Sequence, residues 1–164
     1  MRGMKEMSDV VSTEEKLIIF ELKGKEYAIS VNEVMSIEKN MHITRIPNIA
    51  PFVKGVINLR GVVTPIIDLR LRFNLEEIPY TDSTRIIIIM IEDMEVGIIV
   101  DSANDVVDVN TSLYEPAPET INGDEVDYIK GVVKLDKRLL ILVDLEKVFD
   151  RNILRTYSNA KSDE

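Results

Sequence analysis

Val53-Lys-Gly-Val-Ile-Asn-Leu-Arg-Gly-Val-Val-Thr-Pro-Ile-Ile-Asp-Leu-Arg-Leu-Arg-Phe73 returns 76 residues later, without a gap, as Ile129-Lys-Gly-Val-Val-Lys-Leu-Asp-Lys-Arg-Leu-Leu-Ile-Leu-Val-Asp-Leu-Glu-Lys-Val-Phe149. Seven of the 21 positions are identical: Lys54/Lys130, Gly55/Gly131, Val56/Val132, Leu59/Leu135, Asp68/Asp144, Leu69/Leu145 and Phe73/Phe149. Five of the other 14 exchange one aliphatic for another. Upstream, Tyr27-Ala-Ile-Ser-Val31 matches Val96-Gly-Ile-Ile-Val100 at an offset of 69, so the second copy has a longer middle loop. Two copies of one unit, each of about 65 to 70 residues, is the simplest architecture. One copy buries little surface alone, so the two are expected to pack together and share core.

The unit reads as strands. Ile and Val number 22 and 18, and such stiff β-branched side chains suit a pleated surface better than a helix. They fall in short runs: Lys16 to Leu22, Tyr27 to Val31, Gly55 to Leu59, Val62 to Ile67, Arg85 to Ile91, Val96 to Val100, Ile129 to Leu135 and Leu139 to Val143. Lys23-Gly24-Lys25 and Glu92-Asp93-Met94 read as hairpin connections. Many short strands with tight turns predict an all-β barrel or sandwich. A helix is expected only near the C-terminus, where Leu145, Val148, Phe149, Ile153 and Leu154 follow a possible N-cap, Asp144. Asn74 to Ser83 and Thr111 to Asp127 read as connections. The expected division is a disordered tail over 1–13, a first subdomain over 14–80, a second over 81–150, and a helix end and tail over 151–164.

Composition excludes several functions. The chain has 164 residues, with Lys plus Arg at 20 and Asp plus Glu at 29, a formal net charge of -9. That balance argues against nucleic acid and anionic membrane surfaces, whose affinity comes from basic side chains. With Cys at 0 and one His, His42, neither a disulfide framework, a Cys nucleophile nor a multi-His metal site is expected. Trp is 0 and aromatics are 5%, too few for stacking platforms. The start, Met1 to Val11, has no apolar export region, and the longest apolar run, Ile86 to Ile91, is far short of a membrane span. A cytoplasmic protein is the default expectation. Glu15 to Tyr80 holds nine basic and eight acidic residues, whereas Asp82 to Asp150 holds six and 16. Such asymmetry suits head-to-tail contacts between a basic and an acidic face.

The repeat is an internal control, because residues shared by both copies are those the fold requires. Gly55 and Gly131 suit a bulge or close backbone approach. Asp68 and Asp144 end aliphatic strands before Leu and read as caps. Residues present in one copy are freer to carry function: Asn58, Arg60, Gly61 and Pro65 face Lys134, Asp136, Lys137 and Ile141. Arg60-Gly61 reads as a hairpin turn, with Gly supplying positive φ and Arg held at a rigid tip as an anchor for a partner. Two aspartates from two repeats could suggest an aspartic-protease dyad, but the followers Leu69-Arg70 and Leu145-Glu146 lack the required hydroxyl and glycine. Asn122 to Asp127 lacks EF-hand spacing and reads as a solvated acidic loop. No phosphate-cradling loop occurs, since Gly55 to Gly61 lacks the Lys-Ser/Thr ending.

Phe52 to Arg70, with its Val-Ile-Asn-Leu-Arg-Gly core, resembles the signature of the CheW family of chemotaxis coupling proteins. Ile29-Ser-Val31 with Val34, Arg45-Ile-Pro47, Val96 to Asp101 followed by Val106, Ile129-Lys-Gly131 and Leu140 to Asp144 extend the likeness over about residues 14 to 150. The resemblance implies two SH3-like five-stranded β-barrels on a shared core, with neither catalysis nor cofactor nor metal. It implies an adaptor that couples chemoreceptors to the histidine kinase CheA, whose regulatory domain shares the fold, in rings beneath membrane-associated receptor arrays. The receptor's helical hairpin tip would lie in an apolar groove between the barrels, lined by Ile18, Val31, Val34, Ile37 and Ala103. Arg60 and Glu38 match a sensitive basic position and an acidic one that pairs with it, and Lys54, Gly55, Asn58 and Gly61 share that segment. The kinase would contact one end of each barrel. Two competing readings are a small-molecule-binding β-barrel, which needs an open lumen, and a hydrolase using Asp68 and Asp144.

Overall fold

The computed structural model describes residues 13–39, 41–47, 50–117 and 127–149. Within them lie β1 (Glu14–Leu22), β2 (Lys25–Ser30), β3 (Val34–Glu38), β4 (Val53–Leu59), β5 (Val62–Asp68), α1 (Leu69–Arg72), β6 (Arg85–Ile91), β7 (Met94–Val100), β8 (Ser102–Asn110), β9 (Tyr114–Glu115), β10 (Ile129–Leu135), β11 (Arg138–Val143) and α2 (Leu145–Val148). The all-β expectation holds. The expected tails and the far end of the C-terminal helix lie outside the described residues, apart from Thr13.

The strands form a six-stranded sheet, β8-β1-β2-β11-β10-β9, and a five-stranded sheet, β3-β6-β7-β5-β4. Neither sheet is made from one repeat. The β1–β2 hairpin joins the last strands of the second repeat, and the β6–β7 hairpin joins the last strands of the first. The exchange obeys the internal symmetry. β11 pairs parallel to β2 with Leu142 opposite Ala28, and β5 pairs parallel to β7 with Ile66 opposite Gly97. The residues correspond through the two repeat offsets. The expected boundary between residues 80 and 81 is therefore corrected: each lobe combines a hairpin from one copy with later strands from the other. The six-stranded lobe also exceeds the expected five strands by the two-residue β9, whose counterpart in the other lobe is a single bridge, Thr44 to Val56.

The strands read as unbroken apolar runs instead of alternating ones because both faces are covered. Leu17, Ile19, Ala28, Val133, Leu140 and Leu142 fill the six-stranded lobe. Ile57, Leu59, Ile66, Ile86, Ile88 and Ile99 fill the other. The intervening side chains, among them Ile18, Phe20, Tyr27, Ile87, Ile89 and Ile98, turn to a core shared by both sheets. Arg72 closes this core. Its guanidinium stacks 4.9 Å from Phe52 and 4.6 Å from Tyr128, and its Nε donates to the Val148 carbonyl at 2.9 Å.

Both shared glycines stand at bulges, between Val53 and Gly55 and between Ile129 and Gly131. A Cβ on Gly55, at φ +143°, would meet the Thr44 carbonyl oxygen at 2.1 Å, and one on Gly131 would meet the Glu115 carbonyl oxygen at 2.6 Å. Close backbone approach is thus the reason for both. The shared aspartates cap the short helices. Asp68 Oδ1 accepts from the N–H of Arg70 and Leu71, and Asp144 Oδ1 from those of Glu146 and Lys147.

Candidate docking site

The β4–β5 hairpin closes through Arg60 and Gly61, with φ of +53° and +82°, the signs a type I′ turn needs. Asn58 Oδ1 accepts from the Gly61 N–H at 2.9 Å and fixes the turn. Arg60 is exposed at this tip, and Val62 and Val63 beside it are exposed too. Glu38, half-buried, ends β3 on the far edge of the same sheet. Among the described residues no hydrogen bond or ion pair joins Arg60 to Glu38. Lys54 is engaged elsewhere, in an ion pair with Glu77. Of the five residues expected to act with Arg60, Glu38 stands apart on β3, Lys54 is paired with Glu77, Gly55 is fixed by close backbone approach, and Asn58 and Gly61 shape the tip at which Arg60 is displayed.

The expected groove residues come together in part. Ile18 belongs to the shared core at 6% exposure, and Val31, Val34 and Ala103 pack half-buried against it. Ile37 pairs with Ile87 and, at 37% exposure, stands at the rim. The ladder adds a residue that the sequence reading placed in the family pattern but not in the groove. Val106 lies directly opposite Ile18 across β1 and β8, and is 53% exposed. Cross-strand partners share a sheet face, so Val106 continues the buried Ile18 surface outward. Its signal in sequence was weak, since exposure depends on β8 being an edge strand. β3 is the matching edge strand of the other sheet, so the residues expected to line the groove come from both lobes.

Two carboxylates near α1 differ in character. Burial pushes the Asp68 carboxyl above its usual range, against hydrogen bonds from Tyr80 and the α1 N–H groups. Tyr80, itself shifted upward by burial and then by Asp68, donates to Asp68 Oδ2 at 3.1 Å. Burial would raise Asp101 as well, but the Arg70 guanidinium and the Lys23 N–H outweigh it and hold its carboxyl below the usual range. The two aspartates of the hydrolase reading are thus both committed to helix caps, one in each repeat. Among the described residues the lobe interiors are filled by aliphatic side chains, where the small-molecule reading needs an open lumen.

Two SH3-like lobes with interleaved strands, aliphatics of both edge strands packed against the shared core and an exposed arginine at a hydrogen-bonded turn define a scaffold class of protein. Residues 16–152 match the CheW-like domain, and the chain belongs to the CheW family of chemotaxis scaffold proteins. It is 53% identical to the chemotaxis protein CheW of Bacillus subtilis strain 168 over 145 residues, 88% of this chain and 93% of that protein. Against the chemotaxis protein CheW of Klebsiella aerogenes it is 38% identical over 149 residues, 90% of each. The crystal structure of scaffolding protein TtCheW from Thermoanaerobacter tengcongensis matches with a TM-score of 0.78 at 32% identity, covering 85% of this chain and 94% of that one.

Proposed function

We propose that this protein couples chemoreceptors to the histidine kinase CheA by protein–protein contacts alone, without catalysis, at cytoplasmic, membrane-associated receptor arrays. The groove of Ile18, Val31, Val34, Ile37, Ala103 and Val106 receives one apolar face of the receptor's helical hairpin tip. Arg60 at the turn tip anchors a partner, and the kinase's regulatory domain docks on an end of each lobe. The observation that carries this reading is the continuity of the shared core with exposed aliphatics on the edge strands of both sheets. An apolar helix laid there would complete the core from outside. Charge agrees with alternation in a ring: the described segments of the six-stranded lobe (14–33, 101–117 and 127–149) hold eight basic and 13 acidic residues, and 34–100 hold seven and eight.

The test is a pull-down of the intact protein with a receptor signalling tip and with the kinase regulatory domain, followed by kinase autophosphorylation with and without the protein. Both partners should be captured, and receptor control of phosphorylation should require the protein. Capture of neither partner would overturn the reading.

A further inference from the structure

The chain passes between the lobes twice, from β2 to β3 through Val31–Glu33 and from β7 to β8 through Asp101. The internal repeat aligns these crossovers: Asn32 corresponds to Asp101 at the offset of 69. They are held in different ways. The first is held within itself: Ser30 Oγ accepts from the Asn32 N–H at 3.2 Å and Glu33 Oε1 accepts from the Ser30 N–H. The second is tied to both lobes. The Asp101 N–H donates to the Glu21 carbonyl at 3.0 Å, and its Oδ2 accepts from the Lys23 N–H at 2.9 Å, both in the six-stranded lobe. From α1 on the five-stranded lobe, Arg70 Nε and Nη2 grip its two oxygens at 2.7 and 2.6 Å. The pair is largely enclosed, at 11% and 23% side-chain exposure.

The fold does not demand this grip, because the equivalent of Arg70 in the second repeat is the exposed Glu146. We infer that Arg70 and Asp101 are positioning residues, a latch that fixes the inter-lobe angle and so sets the width of the groove reached two residues later at Ala103. Bidentate guanidinium–carboxylate geometry resists rotation where a single contact would not. The inference rests on the receptor reading above for its purpose, though not for its mechanics.

The chain has no Cys, so spin labels can be placed cleanly at Glu92→Cys and Lys137→Cys, exposed turn positions on opposite lobes. In Arg70→Gln and Asp101→Asn the inter-lobe distance distribution should broaden. Receptor-tip affinity should fall about tenfold, a usual size for coupling between linked sites, while capture of the kinase regulatory domain stays within about twofold. An unchanged distribution overturns the latch, as does an equal loss of both partners, which would mark a global folding defect. A broadened distribution in a protein whose parent form does not bind the tip supports the latch and overturns the receptor reading instead.

Discussion

The two hairpins Arg60-Gly61 and Asp136-Lys137 occupy equivalent places in the two repeats and close equivalent strand pairs. One displays an arginine, the other an aspartate that also adopts positive φ, at +51°. The backbone demand is therefore common, while the charge presented is not. The same contrast separates Arg70 from Glu146. It does not separate Gly55 from Gly131 or Asp68 from Asp144, which keep their identity because each does the same local work twice. Duplication thus sorts residues into those that build the lobe and those that distinguish one lobe from the other.

That sorting can be attacked directly, beginning with the largest effect on stability. Gly55→Ala places a Cβ against the Thr44 carbonyl in a backbone region closed to side chains, and should cost about 3 kcal/mol. Gly131→Ala meets the Glu115 carbonyl less closely and should cost about 2 kcal/mol. Urea unfolding measures both, and losses below ~1 kcal/mol at both sites would remove close approach as the shared reason. Next come the caps. Asp68→Ala and Asp144→Ala should each lose about 1 kcal/mol, with Asn restoring most of it at either site. Asp68→Ala should be the worse, since it also strips the Tyr80 hydroxyl of its acceptor.

Acid unfolding then separates the two perturbed aspartates. Asp101 is lowered in the folded state, so its contribution is present above the unfolded value of about 3.9 and is lost as pH falls through the folded one. Asp101→Asn should accordingly flatten the loss of stability on acidification. Asp68 is raised, so its protonation on acidification favours the fold, and Asp68→Asn should steepen that loss. Slopes moving the same way in both variants would contradict these assignments. The smallest effect on stability belongs to the tips: Arg60→Glu and Asp136→Lys should each change it by under ~0.5 kcal/mol. Only Arg60→Glu should weaken coupling to receptor or kinase in the phosphorylation assay. Equal damage from both would mean that tip charge, and not Arg60 itself, is what partners read.

Much of this was legible in residue order. Asp68 and Asp144 announced caps and Arg60-Gly61 announced a turn, because each depends on a few consecutive residues, while Gly55 and Gly131 announced close approach only through their recurrence in both copies, since the backbone they meet, at Thr44 and Glu115, is distant in sequence. The groove was less legible. Ile18 reads like its neighbours Leu17 and Ile19, and only the sheet face assigns it to the shared core and them to the lobe interior. Val106 was left out of the groove because exposure follows from lying on an edge. The Arg70–Asp101 pair was invisible, since 31 residues separate its members.

Sequence by itself determined eight of the eleven described strands, the duplication, the turns and the caps, whereas the edge strands β3 and β8 and the short β9 carry no unbroken aliphatic run and became strands only through their pairing. Tertiary structure alone decided that the hairpins change places. Exchanged and unexchanged lobes would pair equivalent strands and bury equivalent aliphatics, so the apolar pattern scores them alike. What separates them is long-range: the paths of two crossovers and the contacts made where they meet, above all Asp101 held between Lys23 and Arg70.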